Sequence, residues 1–135
     1  MVIIMILIVC VDDNNGIMFN KRRQSRDRIL IERIEKMSDG KRLWMSEYSK
    51  PLFSREVCAD DDFLDKAAEN EYCFNETKGK IETPPQRLIV YKWNRVYPSD
   101  VKFSCDMSDM DLISVYEFVG SSHDKITEEI YEHRR

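Results

Sequence analysis

The chain has 135 residues, of which 42% are hydrophobic and 34% are charged, and its formal net charge is −4 at pH 7. This length fits one domain with an adequate core, and the composition excludes an intrinsically disordered chain. The acidic balance, with a pI of about 5.3, argues against a nonspecific nucleic-acid binder but leaves room for a local basic site.

The first eleven residues are all apolar and end in the turn-forming run Asp12-Asp13-Asn14-Asn15-Gly16. They are too few for a membrane helix, which needs about 20 residues. No basic residue of the kind that opens a signal peptide precedes Lys21. Because most of the run is β-branched, we predict a central strand covered on both faces by helices. The expected protein is one cytoplasmic α/β domain spanning residues 1–135, with no membrane partner.

A basic segment follows the opening strand and leads into a helix. Asn15-Gly16 is expected to form a turn, since both residue types tolerate a positive φ. Ser25 is a suitable N-cap for a helix over 26–38, and Gly40 lies where such a helix ends. The helix has an apolar stripe at helical spacing, made of Ile29, Leu30, Ile34 and Met37.

The rest of the chain predicts short strands with two further helices. The triplet Asp60-Asp61-Asp62 is expected to begin a helix that buries Phe63, Leu64, Ala67 and Ala68. Ser121 or Ser122 could cap a final helix, with Ile126 and Ile130 one turn apart. Strands are predicted at 42–46, 56–59, 72–74, 87–93, 101–103 and 112–118, the fifth of them pairing with the fourth.

Cysteine and histidine usage predicts neither a disulfide framework nor a metal centre. The four cysteines lie far apart and form no CxxC pair, so buried free thiols are expected at Cys10, Cys58, Cys73 and Cys105. Only His123 and His133 could supply imidazole ligands, and neither has a partner at metal-ligand spacing.

Several segments resemble dihydrofolate reductase in the same order along the chain. They are Val11 to Ile17 after the apolar opening, Gly40 to Met45, Asp106 to Phe118 and Tyr131 to Arg134. The resemblance implies a single mixed β-sheet with helices on both faces, in a trimmed form of that fold. It also implies NADPH as the expected cofactor and a hydride-transfer reaction.

The functional positions of that family are mostly replaced. Its pteridine-binding carboxylate would fall at Leu30, and the nearest acid is Asp27, one helical turn earlier. Glu47 stands in the segment that would bind the cofactor phosphate, where a cation is expected. No Gly-Gly pair lies near Tyr72 to Glu76. The usual NADPH motifs are therefore absent, and the resemblance implies the scaffold more than the reaction.

Two polar segments are candidate sites. Arg22, Arg23, Gln24 and Ser25 precede a predicted helix, where guanidinium groups could bind a phosphate or carboxylate; a solvated charged loop is the alternative. The second segment contains Ser121, Ser122, His123 and Lys125, with His123 as a candidate general acid or base. An ordinary capped helix start is the alternative there.

Four functions remain open at this point. The first is a domain that binds an anionic or phosphorylated small molecule and has lost hydride transfer. The second is an NADPH-dependent reductase with an altered substrate, using Asp27 as its acid. The third is an RNA-binding or phosphodiester-cleaving, ribonuclease-like protein that uses His123, Lys125 and the arginines. The fourth is an interaction protein without a ligand.

Overall fold

The computed structural model describes residues 5–134, and its centre is the predicted opening strand. β1 (Ile6–Val11) is buried along its length, with Cys10 only partly covered. It pairs in parallel with β6 (Tyr72–Asn75) on one side and with β8 (Arg87–Lys92) on the other. The prediction of a central strand is confirmed for this stretch, whereas residues 1–4 lie outside the described part of the chain.

Seven strands form one mixed sheet in the order β11-β12-β8-β1-β6-β4-β5. Beyond β6 lie β4 (Leu43–Met45) and β5 (Cys58–Ala59), both parallel to it. Beyond β8 lie β12 (Ile126–His133) and the edge strand β11 (Met110–Phe118), which pair antiparallel. The carboxyl ends of β1, β4, β6 and β8 therefore meet at one edge, where ligands bind in open α/β sheets.

One helix packs on each face of this sheet. α1 (Arg28–Met37) places Leu30 and Ile34 against Ile6 and Ile8. The short α2 (Phe63–Lys66) packs the Phe63 ring on the opposite face, which carries Leu7, Val9 and Val11. Successive side chains of a strand point to opposite faces, so the all-apolar β1 supplies both cores.

Two small sheets flank the main one. β2 (Gly16–Phe19), β3 (Arg22–Arg23) and β9 (Val101–Lys102) form the first, and β7 (Lys80–Ile81) and β10 (Ser104–Cys105) form the second. The turn between β2 and β3 is Asn20-Lys21, with φ of 52° and 62°. Two positive φ values are what a tight two-residue hairpin requires. A 3-10 turn, η1 (Lys50–Leu52), contains Pro51 in the segment expected to be irregular.

Four sequence-based expectations for local structure are wrong. The predicted final helix is the strand β12, because residues four apart share a side in a strand as well as in a helix. Val101–Lys102 pairs with β2 and not with β8. The N-cap of α1 is Asp27 and not Ser25, and Ala68 is exposed and not buried.

The four cysteines are free thiols, with Cys73 buried and the other three partly buried. Among residues 5–134, no helix is both long and apolar enough to cross a membrane.

Candidate functional site

Asp27 is the point at which the two predicted polar segments meet. Its extended backbone ends the basic segment, and its Oδ1 accepts hydrogen bonds from the backbone N–H groups of Ile29 and Leu30, at 3.0 and 3.2 Å. This is the N-cap interaction that satisfies the first free amides of a helix. The side chain is fully buried, although a carboxylate is costly to bury without partners.

The loop before β12 supplies those partners. The backbone N–H groups of Ser121 and Ser122 donate to the two carboxylate oxygens of Asp27 at 2.9 and 2.8 Å. Burial raises the pKa of Asp27, but hydrogen bonds from His123, Ser122 and Ser121 lower it by more, so this pKa ends well below its ordinary value. Asp27 is therefore a carboxylate at neutral pH.

Gly120 allows this close approach. A Cβ at position 120 would lie 2.3 Å from Oδ2 and 2.7 Å from Cγ of Asp27, closer than any real contact. The backbone N–H of Gly120 donates to the carbonyl of His123 at 2.9 Å, which folds the loop back on itself. Only a glycine fits here, because any side chain would push the loop away from the carboxylate.

His123 is held between Asp27 and Ser25. Its Nδ1 lies 3.0 Å from Asp27 Oδ2, and its Nε2 lies 3.0 Å from Ser25 Oγ. The imidazole is stacked on Trp93 with ring centres 4.5 Å apart, and only 2% of the side chain is exposed. Tyr97 Oη also contacts Nε2, at 3.2 Å. Because a carboxylate only accepts hydrogen bonds, Nδ1 carries a proton, and in that tautomer of the imidazole Nε2 has the lone pair.

A shallow basic cavity, largely open to solvent, lies beside Ser25. It has a volume of about 440 Å³ and is lined by Arg22, Arg23, Ser25, Arg26 and Tyr48. We refer to it as the arginine cavity. Arg22 and Arg26 are exposed, and neither forms an ion pair within residues 5–134. The predicted concentration of positive charge before α1 is therefore present on one concave surface.

Arg23 has a different role from its neighbours. Its Nε and Nη2 donate to the two carboxylate oxygens of Glu76 at 2.8 and 3.1 Å. Its guanidinium also lies over the Tyr48 ring, 4.5 Å from the centroid. Ser49 Oγ donates a further hydrogen bond to Glu76 at 2.7 Å. Arg23 is thus a fixed wall of the arginine cavity, with most of its charge neutralised by Glu76.

A second cavity, of about 530 Å³, is lined by Asp27 and by Arg26, which also lines the arginine cavity. Ser121 and Ser122 line this second cavity and not the arginine cavity. Its wall also contains Glu32 and Glu35, and Arg28 is paired with Glu32 at 3.1 Å. The wall of this cavity therefore carries charges of both signs.

Two predicted site residues point elsewhere. The Gln24 amide donates to the carbonyl of Pro98 at 3.3 Å and packs at Gly16, where a Cβ would lie 2.5 Å from it. Lys125 pairs with Glu117 on the exposed β11–β12 hairpin at 3.3 Å. Neither residue lines the arginine cavity, so the structure does not bring them to it.

Sequence reasoning missed four residues that complete the site, which are Tyr48, Glu76, Trp93 and Tyr97. No local pattern distinguishes them. A weak signal exists, because Glu76 and Trp93 each follow a strand of the parallel part of the sheet. Within residues 5–134, no group of three or more His, Cys, Asp or Glu side chains could hold a metal ion.

Comparisons with known proteins support the scaffold. No family model and no curated protein matches the sequence. Among solved structures, the dihydrofolate reductase of Enterococcus faecalis, complexed with NADP(H) and RAB-propyl, is similar with a TM-score of 0.66. The alignment covers 98% of this chain and 97% of that chain at 11% identity. At so low an identity the likeness shows the fold alone, and this chain has a dihydrofolate reductase-like α/β fold.

Proposed function

We propose that this protein binds an anionic small molecule, phosphorylated or carboxylated, in the arginine cavity and does not transfer hydride. The observation that carries this proposal is the pair of exposed guanidinium groups, Arg22 and Arg26, which line one cavity and have no carboxylate partner within residues 5–134. Arginine presents a planar set of donors that matches phosphate and carboxylate oxygens.

The cavity is also built in advance of binding. The Arg23–Glu76 pair fixes one wall, and the Tyr48 hydroxyl accepts a hydrogen bond from the backbone N–H of Arg23 at 2.9 Å. A volume of about 440 Å³ suits a small ligand. Ser25 and Tyr48 add hydroxyl groups that could contact the neutral part of such a ligand.

The Asp27 carboxylate explains why hydride transfer is not part of the proposal. Its two oxygens accept six hydrogen bonds, from Ile29, Leu30, Ser121, Ser122 and His123. A general acid must reach its substrate and deliver a proton. A fully buried carboxylate with a lowered pKa, saturated by donors of its own chain, is poorly suited to that role.

Thermal denaturation tests the proposal. We expect inorganic phosphate and pyrophosphate to raise the melting temperature more than sodium chloride of the same ionic strength. A ligand present at 100 times its dissociation constant adds about 2.7 kcal/mol of stability. This is large enough to measure in a chain of 135 residues.

A double substitution, Arg22→Gln/Arg26→Gln, should remove the stabilisation by phosphate. The matched control is Lys36→Gln/Arg95→Gln, which also removes two exposed positive charges but outside the arginine cavity. The control should respond to phosphate like the unsubstituted protein. Equal responses of the two variants would show that stabilisation comes from net charge alone and would overturn the proposal.

NADPH-dependent reduction is the second candidate, favoured by the fold and by the cofactor in the similar reductase structure. NADPH in the same melting experiment separates the two functions. Stabilisation by NADPH together with its oxidation in the presence of a pteridine would favour reduction. Stabilisation by phosphate and pyrophosphate alone favours the anion-binding domain.

A further inference from the structure

We propose that Ser25, His123 and Asp27 form a nucleophilic relay that hydrolyses small esters carrying an anionic group. The inference rests on the proposed function for its substrate class, since the arginine cavity would hold the anionic group next to Ser25. The relay itself rests on separate observations, which are the distances between the three side chains and the orientation of the imidazole.

The three side chains are arranged as nucleophile, base and orienting acid. Ser25 Oγ lies 3.0 Å from His123 Nε2, and His123 Nδ1 lies 3.0 Å from Asp27 Oδ2. Both distances fall within the range expected for a hydroxyl nucleophile and its base. The residues come from two segments almost a hundred positions apart, so the arrangement is produced by tertiary structure and not by a local turn.

The imidazole is held in the orientation that the relay needs. The Asp27 carboxylate accepts the Nδ1–H, which leaves the Nε2 lone pair for the Ser25 hydroxyl. Stacking on Trp93 prevents the ring from turning away. Asp27 is itself fixed by the N-terminus of α1 and by the amides of Ser121 and Ser122. Asp27 is thus a positioning residue that acts through His123.

Of the three side chains in the relay, only that of Ser25 is appreciably exposed; Asp27 lines the second cavity, but its side chain is fully buried. His123 and Asp27 are 2% and 0% exposed, whereas Ser25 is half-buried and lines the arginine cavity. Arg22 and Arg26 line the same cavity as Ser25, and Arg26 also borders the second cavity. A serine that served only to satisfy His123 would have no need to border this space.

The proposed reaction balances without a further reactant except water. Ser25 Oγ attacks the ester carbonyl carbon, and its proton passes to His123 Nε2. The carbon–oxygen bond to the alcohol then breaks, and His123 returns the proton to the leaving alkoxide. A water molecule hydrolyses the acyl-serine by the same two steps, which releases a carboxylic acid and restores Ser25.

Tyr97 competes with Ser25 for the base. Its hydroxyl lies 3.2 Å from Nε2, and a neutral imidazole has one lone pair there for both hydroxyl groups. Replacing Tyr97 by Phe would leave Ser25 as the sole partner of Nε2. The relay therefore predicts a higher rate of Ser25 modification in Tyr97→Phe, a result that a purely structural hydrogen-bond network does not predict.

Covalent labelling tests the relay without knowledge of the natural substrate. The full chain is incubated with a fluorophosphonate, which loses fluoride to an activated serine, and the modified residue is located by mass spectrometry. We expect one label on Ser25, lost in Ser25→Ala and in His123→Gln, and faster in Tyr97→Phe. Ser104→Ala is the matched control, since Ser104 is an exposed serine outside the site.

Ester turnover tests the substrate class. We expect 4-nitrophenyl hydrogen succinate to be hydrolysed with a kcat/KM at least about tenfold above that of the uncharged 4-nitrophenyl butyrate, a difference one ion pair can supply. Arg22→Gln/Arg26→Gln should lose this preference. Asp27→Asn, in which asparagine can still cap α1, should lower kcat and leave KM unchanged.

The outcomes separate the relay from the anion site. If folded protein remains unlabelled at Ser25 while phosphate stabilises it, the relay is overturned and the proposed function stands. If Ser25 is labelled but the two esters are hydrolysed equally well, the relay stands and the anionic substrate class is overturned. Labelling of serines in proportion to their exposure, Ser104 included, would also overturn the relay.

Discussion

Replacing Gly120 by alanine should destabilise this protein far more than an ordinary glycine-to-alanine change. The new Cβ would lie 2.3 Å from Asp27 Oδ2 and 2.9 Å from Oδ1. The carboxylate cannot yield easily, because it is bound to the backbone N–H groups of Ile29 and Leu30. The loop must therefore move away from Asp27.

The magnitude follows from the hydrogen bonds that this movement breaks. The amides of Ser121 and Ser122 donate to Asp27 at 2.9 and 2.8 Å, and both bonds would be stretched beyond their useful length. A hydrogen bond to a charged group contributes about 1.5–3 kcal/mol. Loss of both, offset in part by relaxation of the loop, gives an expected decrease of about 3–5 kcal/mol in the free energy of unfolding.

Urea denaturation of Gly120→Ala measures this decrease. Gly40→Ala is the matched control, because a Cβ at position 40 would have no neighbour within 4 Å and only its φ of +80° opposes the change. The control should lose about 1–2 kcal/mol from backbone strain. In an Asp27→Ala background the clash disappears, so the cost of Gly120→Ala should fall by at least about 1 kcal/mol. A decrease of less than about 1 kcal/mol in the native background would refute the close approach of loop and carboxylate.

Three further predictions concern pH, an ion pair and a buried hydroxyl. Burial raises the pKa of Asp27, but the hydrogen bonds from His123, Ser122 and Ser121 lower it by more. The carboxylate therefore stabilises the fold above the unfolded pKa of about 3.9, and this stability is lost as pH falls through the lower folded pKa. Asp27→Asn should consequently make stability less dependent on pH in acid denaturation followed by circular dichroism. Arg23→Ala should lower the free energy of unfolding by about 2–3 kcal/mol, because the Glu76 side chain is only 9% exposed and loses its bidentate partner. Calorimetry of the double variant Arg23→Ala/Glu76→Ala should show that part of this stability is regained. Tyr91→Phe should lower the free energy of unfolding by about 1–2 kcal/mol in urea titration, since Tyr91 Oη donates to the buried Glu128 at 2.8 Å. An unchanged midpoint of the urea transition would contradict that hydrogen bond. The control is Val115→Lys on the exposed edge strand, whose stability should lie within about 0.5 kcal/mol of the parent.

The candidate site was only partly predictable, as Asp27 and His123 illustrate. Each was identified from the sequence as a titratable residue beside a helix start. The pattern could not show that their side chains lie 3.0 Å apart. It also assigned the N-cap to Ser25, whose hydroxyl contacts His123, and grouped Arg23 with the free cations although it is paired with Glu76. These partners are 53 to 98 residues apart in sequence, beyond the reach of any local signal.

The sequence by itself determined the elements whose pattern of apolar residues fits only one conformation. Eleven apolar residues, most of them β-branched, gave one stable outcome, a strand covered on both faces, and Ile6–Val11 confirms it. The apolar stripe of α1 was equally decisive, because its 3.6-residue period buries Leu30 and Ile34 on one side.

Tertiary structure alone decided the conformation of the last eight residues of the sheet and the chemistry of the site. Ile126 and Ile130 share a side in either a helix or a strand, and only pairing with both Met110–Phe118 and Arg87–Lys92 selects the strand. The protonation of Asp27, the orientation of His123 and the need for glycine at position 120 all arise from contacts between distant segments. Local periodicity reports which residues are buried, whereas the distances between charged and polar groups are set only when the chain is folded.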